Sequence, residues 1–323
     1  MIRRMVTALS RLFLIGMVVW GVAFAQPARP TGSQPEWQRK AQTLLREGKL
    51  DEAFAVYQEQ LKSSPNSPQL NNAAGVTLDL MGKGAEARRH FEKAITNAPD
   101  ARGRANAERA MAMSYAFDND CANTVKHEER VIAYWKTREA AEPGNAFYQK
   151  GEMANEAARV CIEAGDLRTA EKLYRDGREL GLEEPSIPAG RKALWEFRTE
   201  HALARLAARR GNKAEAGKYV AAAEAQLKAI EVVDPQLGRQ QRAFFPYLTG
   251  YVAYYTGDYM RALADLSQAN TNDPFIQCLL GMTYEKLGQK QKATEEYEKA
   301  YRTTGHNPPA AFAKPFARKK LGR

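Results

Sequence analysis

Apolar residues along this chain recur every three or four positions in stretches of roughly 11 to 20 residues, from about residue 36 onward. Short polar breaks separate the stretches: Gly82-Lys83-Gly84, Asp118-Asn119-Asp120, Gly165-Asp166, Gly211-Asn212 and Gly257-Asp258. Gly, Asn and Asp suit tight turns because they tolerate left-handed backbone or bond to it locally. No stretch alternates apolar and polar residues with the two-residue period of a half-buried strand. The pattern predicts an all-α chain of helix pairs, with no β-sheet.

The first 35 residues read differently. Arg3, Arg4 and Arg11 precede an apolar run of 14 residues from Leu12 to Ala25, which closes on Ala23-Phe24-Ala25 before Gln26-Pro27. A positive start, a short apolar stretch and a small-x-small end are the layout of a secretory signal peptide. A spanning helix needs about 20 apolar residues, so an anchor fits less well. The expected division is 1–25 as signal peptide and 26–35 as a flexible, Pro- and Gly-containing leader. Residues 36–305 form the helical array, and 306–323 a capping helix with a basic tail. The implied location is periplasmic or secreted, with no stable membrane insertion after cleavage.

Within the array a period is visible. Ala53, Tyr57 and Pro65 return 34 positions later as Ala87, Phe91 and Pro99. Related sets are Gly75, Leu78 and Ala94; Gly250, Gly257-Asp258-Tyr259, Ala262, Leu266 and Pro274; and Leu280-Gly281, Tyr284, Ala293, Tyr297 and Ala300. A 34-residue helix-turn-helix unit with small residues at fixed places resembles the tetratricopeptide repeat. Four units match strongly; three between residues 102 and 232 depart from the pattern, making about seven. The resemblance implies a right-handed superhelical solenoid whose stacked units share one core and expose a concave inner surface. It also implies a small residue such as Gly75 facing Ala87 across each pair, Pro65, Pro99 and Pro274 ending second helices, and a protein or peptide as partner. Asn307-Pro308-Pro309 reads as a cap and first turn of a closing helix over 308–321, interrupted near Pro315.

Charge and chemistry narrow the function. The net charge is +10, three of it from the signal-peptide arginines, and bases and acids are interspersed. No basic cluster with base-reading residues points to nucleic acid. Gly82-Lys83-Gly84-Ala85-Glu86-Ala87 follows a helix rather than a strand, so it is a turn and not a dinucleotide site. Gly211 to Tyr219 is one residue too long for a phosphate loop and ends on Tyr219 where Ser or Thr must hold magnesium. His127-Glu128 lacks the second histidine one turn on, because Val131 stands there. These readings give no catalytic residue, no cofactor and no metal, and the chain is expected not to be an enzyme.

In the family, the first helix of each unit lines the groove. That places Phe244, Tyr247, Tyr251, Tyr254 and Tyr255 on one side of a helix in the sixth unit, beside Arg198, His201, Arg205 and Arg209 of the fifth. Such a surface suits an extended peptide carrying apolar or Pro-rich residues next to an acid. The same tyrosines would serve equally as core, and the arginines as a solvated face. The cysteines are Cys121, Cys161 and Cys278. Cys121 opens the second helix of the third unit and Cys161 lies near the end of the next first helix. If those helices pack antiparallel, either a Cys121–Cys161 bridge or two buried thiols follows. The expected function is an envelope protein-interaction scaffold binding a peptide or protein in its concave groove. The alternative is an accessory subunit of an envelope enzyme or secretion complex.

Overall fold

A computed structural model of the protein describes residues 35–323. The signal peptide and nearly all of the leader expected at 1–35 lie outside the described residues. The described part is helical, with no strand among the described residues.

Seven helix pairs follow one another: α1 (Glu36–Arg46) with α2 (Leu50–Ser63), α3 (Pro68–Leu80) with α4 (Gly84–Thr96), α5 (Ala101–Phe117) with α6 (Cys121–Lys136), α7 (Pro143–Ala164) with α8 (Leu167–Leu182), and α9 (Ala189–Arg209) with α10 (Lys213–Val233). After a short α11 (Pro235–Arg242) come α12 (Phe245–Tyr255) with α13 (Tyr259–Leu266), α14 (Pro274–Lys286) with α15 (Lys290–Tyr301), and the single α16 (Pro308–Lys320). Helix starts follow their capping residues. The side chains of Ser67, Asp100, Asp120, Asp166, Asn212, Asp258 and Asn307 each accept from a backbone N–H of the first turn. Six of the seven intra-pair turns, at Gly48, Gly82, Gly165, Gly211, Gly257 and Gly288, have a glycine with positive φ, which glycine adopts without strain.

Each pair is tied to the next. Every second helix packs on its own first helix, and second helices such as α4, α6, α8 and α13 also pack on the first helix that follows. First helices meet one another on the other side, α3 with α5, α9 with α12, and α12 with α14. Buried clusters join neighbouring pairs, as where Ala157 of α7 and Leu173 of α8 share one with Leu206 of α9.

The sequence expectation about small residues needs correction. The groups nearest to Gly75, Gly250 and Gly281 are Phe91, Leu266 and Tyr297 rather than the repeat's alanines. A Cβ at Gly75 would come within 2.7 Å of the Phe91 ring, and one at Gly281 within 2.5 Å of Tyr297. Each glycine makes a flat seat for the large side chain 16 residues on, so the aromatic fills its own pair. Pro274 also behaves differently. It occupies the first turn of α14, capped by Asp273, while α13 has already ended at Leu266. A helix N-terminus has no use for the missing N–H, so proline starts helices as readily as it ends them. Pro315 does not interrupt α16, which runs through it. The short α11 went unread, although Asp234-Pro235 carries the cap-and-first-turn signal.

The C-terminal segment does more than cover an end. Helix α16 packs on α14 and α15 and then reaches back to α5 and α7. Ala311 sits in a cluster with Leu80, Phe117 and Val160. The His306 ring lies 5.6 Å from Phe91 and 5.4 Å from Phe117, and Arg318 donates to the Met81 carbonyl. The last repeat is thereby joined to the second, third and fourth.

Candidate functional site

The inner wall is built from first helices. On α7, Tyr148, Glu152, Glu156, Arg159 and Glu163 follow each other at spacings of four, four, three and four, which keeps them on one face. On α9 the face carries Arg198, His201, Arg205 and Arg209, and on α12 Tyr247, Tyr251, Tyr254 and Tyr255. Phe244 stands at the cap of α12.

The structure brings these residues together. Arg198 donates to Glu152 at 2.8 Å and to the Tyr148 hydroxyl at 2.8 Å. Arg209 donates to Glu163 at 2.9 Å, to the Tyr255 hydroxyl at 3.0 Å and to the Ile162 carbonyl. Arg205 donates to the hydroxyls of Tyr247 and Tyr174 at 3.1 and 2.8 Å. The His201 ring lies 5.5 Å from that of Tyr247, and Tyr247 meets Tyr251 edge to face. The basic stripe and the aromatic stripe thus form one interlocked layer.

Burial is high. Tyr251 is fully buried, and His201 and Arg205 are each 6% exposed. Tyr247, Tyr254, Tyr255, Phe244, Arg198 and Arg209 keep partial exposure. Burial pushes the Tyr247 hydroxyl up to about 12, so it stays neutral at physiological pH. Burial first, then the Arg205 charge, holds His201 well below the usual histidine range and keeps its ring neutral. Burial raises the Glu163 carboxyl despite the pull of Arg209.

Sequence reading missed the acidic partners on α7. Their signal was present in the spacing of four and seven residues that keeps Glu152, Glu156 and Glu163 on one helical face, but α7 lies in one of the units that depart from the repeat pattern. Aromatic side chains from later helices cover this layer. Phe275 of α14 lies against Tyr247 and Tyr251, and Phe312 of α16 lies against Phe275 at 4.9 Å. Outside this layer, Cys121 and Cys161 are joined by a disulfide with Cα atoms 4.7 Å apart, and Cys278 is a buried free thiol. Among the described residues no group of three or more His, Cys, Asp or Glu side chains could hold a metal ion. No described helix is long and apolar enough to cross a membrane.

One tetratricopeptide-repeat family model matches residues 39–102 and a second matches 276–304, the first two helix pairs and the last. Over those two stretches the chain carries tetratricopeptide repeats. Repeats of this family bind proteins or peptides and are generally non-catalytic scaffolds. Solved structures similar to the chain include a tetratricopeptide-repeat protein from Parabacteroides merdae, 16% identical, covering 89% of this chain and 96% of its own, with a TM-score of 0.46. Others are PilW, a type IV pilus biogenesis factor, 17% identical, covering 74% and 93% with a TM-score of 0.39, and yeast Tom70, 14% identical, covering 90% and 66% with a TM-score of 0.34. No curated protein matches the chain.

Proposed function

We propose that this repeat protein is an interaction scaffold of the bacterial cell envelope that holds a peptide or protein partner on the inner wall formed by α9 and α12. The observation that carries the reading is a pair of polar atoms on that wall. His201 Nε2 and Arg205 Nε are buried and have no hydrogen-bond partner. Leaving such a group unsatisfied costs about 1–3 kcal/mol each, so a wall that served packing alone would have apolar residues there. An unpartnered guanidinium N–H and an unpartnered imidazole nitrogen set among tyrosines suit a recognition surface. Phe275 of α14 packs on this wall, and Tyr247, Tyr254 and Tyr255 keep partial exposure.

The envelope location is supported by two features. The N-terminal residues have the signal-peptide layout, and the Cys121–Cys161 bridge suits an oxidising compartment. Affinity capture from an envelope fraction, with wild-type protein and with Tyr247→Ala and Tyr254→Ala, tests the reading. Both positions are partly exposed, so the variants are first shown to be folded by thermal unfolding. Capture falling at least about fivefold in either variant supports the inner wall; a free energy of 1.4 kcal/mol corresponds to about tenfold. Undiminished capture by both folded variants sinks it.

A further inference from the structure

The two faces of α16 are held very differently. Toward its own end of the array, Phe312 lies 4.9 Å from Phe275 and Phe316 lies 5.9 Å from Tyr297. Ala313 and Ala317 join a buried cluster with Cys278 and Tyr297. Lys314 adds bonds to the carbonyls of Tyr301 and Thr303 at 2.8 and 3.1 Å. Large rings and buried bonds anchor this face. Toward the early pairs the contact is narrow. Ala311 and Arg318 stand seven positions apart on one helical stripe. Ala311 is the one residue of α16 in the cluster with Leu80, Phe117 and Val160. Arg318 reaches the Met81 carbonyl but is exposed, as is Pro315 on the stripe between them. The seam is completed by the 2.8 Å contact of His306 with Asp79 and by the His306 ring against Phe91 and Phe117. One methyl, one ring and two polar contacts thus close the array on this side.

The seam covers the ends of three consecutive first helices. Leu80 and Phe117 end α3 and α5, Val160 lies near the end of α7, and all three are buried. Val160 stands three positions before Glu163, which bonds Arg209 and Tyr251 of the inner wall, so the covered strip continues into that wall. We infer that α16 is an autoinhibitory strap. Its Ala311 face opens locally from α3, α5 and α7 while its phenylalanine face stays on α14 and α15, and the open strap admits a partner to the strip beneath. Given the scaffold reading above, this adds how access is controlled and what the partner must bring. Stabilisation follows the apolar area removed from water, so the face of rings holds far more strongly than the face with a single methyl. Elements with few buried contacts open first, without global unfolding. Asp79 keeps its bond from Ser114 at 2.8 Å when His306 leaves, so its carboxylate stays in place for a newcomer. The competitor has to replace what departs. It carries a donor for Asp79 and, five positions later in the first turn of a helix, a small apolar side chain, the pattern of His306 and Ala311.

The experiment uses the full chain and compares an introduced thiol with a native one. Ala311→Cys puts a thiol in the seam. Cys278, buried with its Sγ 3.7 Å from the Ala313 carbonyl on the anchored side of α16, is the internal reference. The other two cysteines are joined to each other and do not react. Labelling by iodoacetamide without denaturant is followed by peptide mass analysis. The thiol at position 311 should label at least about a hundredfold faster than Cys278, as local opening outpaces global opening. His306→Ala should quicken it at least about threefold more and leave Cys278 unchanged. If Ala311→Cys does not fold, Val160→Cys places the thiol on the opposite side of the seam with the same expectations. Equal rates at the two thiols overturn the strap. The strip is then probed with a synthetic peptide of residues 304–323 and with the same peptide carrying Ala311→Glu. A ligand that binds only the open form raises its population, so the first peptide should quicken labelling in the seam as its concentration rises and the second should not. No quickening, or equal quickening by both, overturns the docking strip. Loss of partner capture in Tyr247→Ala or Tyr254→Ala keeps the inner-wall reading even where the strap fails.

Discussion

His306 Nε2 lies 2.8 Å from Asp79 Oδ2, a contact between residues 227 positions apart. Asp79 is nearly fully buried at the end of α3, where its other oxygen accepts from Ser114 of α5 at 2.8 Å. The contact fastens the segment leading into α16 onto the second and third helix pairs. Asp79→Asn or His306→Ala should therefore lower stability by about 1–3 kcal/mol, the usual cost of stranding a buried polar partner. The loss should be uneven along the chain. Hydrogen exchange should speed up most at the amides of α16 and at the ends of α3 and α5, and less in α9 and α10. Uniform acceleration would mean that the contact is not a local fastening.

The Cys121–Cys161 bridge closes a loop across a sequence separation of 40. It joins the start of α6 to the last turn of α7, where the repeat pattern is weakest. On the chain-entropy model a loop of that length stabilises by about 4 kcal/mol. Reductant, or Cys121→Ser with Cys161→Ser, should lower the denaturation midpoint accordingly. Alkylation in denaturant without reductant should find one thiol, that of Cys278. Three thiols would disprove the bridge.

Several of these features were legible in the sequence, and the reasons differ. The helix pairs, their turns and the reach of Cys121 to Cys161 follow from local periodicity and from the antiparallel course of neighbouring helices. The stripe from Tyr247 to Tyr255 could be placed on one helical face, but a tyrosine serves groove and core alike. The difference depends on Phe275 and Phe312, which arrive from other pairs. The seat of Phe91 on Gly75 was misread because small residues recur in both helices and only packing says which faces which. The closure through His306 and Asp79 has no local signal. It depends on how far the array curves over seven pairs, a sum of small rotations that no window of sequence contains.

Tyr251 and Tyr254 should respond very differently to truncation. Tyr251 is fully buried among Leu266, Ile276 and Leu279, and its hydroxyl donates to Glu163 at 3.3 Å. Tyr251→Ala should cost about 3–5 kcal/mol, in the range of large aromatic deletions. Tyr254 keeps partial exposure and should cost well under half of that. Urea denaturation of the two variants checks the ranking. Equal losses would place Tyr251 on an open surface, contrary to the packing described.

Glu128 of α6 offers a test by pH. Its side chain is 1% exposed and neither carboxyl oxygen has a hydrogen-bond partner. Burial, reinforced by Glu156, raises its carboxyl well above the ordinary range, against the smaller opposing pull of Arg109. Below the unfolded value of about 4.3 both states are protonated and the group contributes no pH dependence. Above it the unfolded chain ionises while the folded chain does not, so rising pH favours unfolding until the folded value is passed. Glu128→Gln removes that slope. The variant should match the wild type near pH 4 and become the more stable of the two as pH rises toward 8. The gain is about 1.4 kcal/mol for each unit by which burial raises the group, over the range titrated. Parallel stability curves from urea midpoints at several pH values would contradict the assignment.

Trp195 tests how tightly the middle of the array is fitted. This fully buried ring of α9 lies over two glycines of the preceding pair. A Cβ at Gly181 of α8 would come 2.1 Å from Trp195 Cε2, and one at Gly151 of α7 would come 2.4 Å from its Cη2. The ring is rigid and its surroundings are close-packed, so an added methyl has to push apart α8 and α9. Gly181→Ala should cost about 1–3 kcal/mol or more from overpacking. Trp195→Phe alone should also destabilise, by leaving a space. Combined, the smaller ring makes room for the methyl, so the double variant should be at least about 1 kcal/mol more stable than the sum of the two losses predicts. Strict additivity in a double-mutant cycle would show that Gly181 is tolerant for a reason other than the Trp195 ring above it.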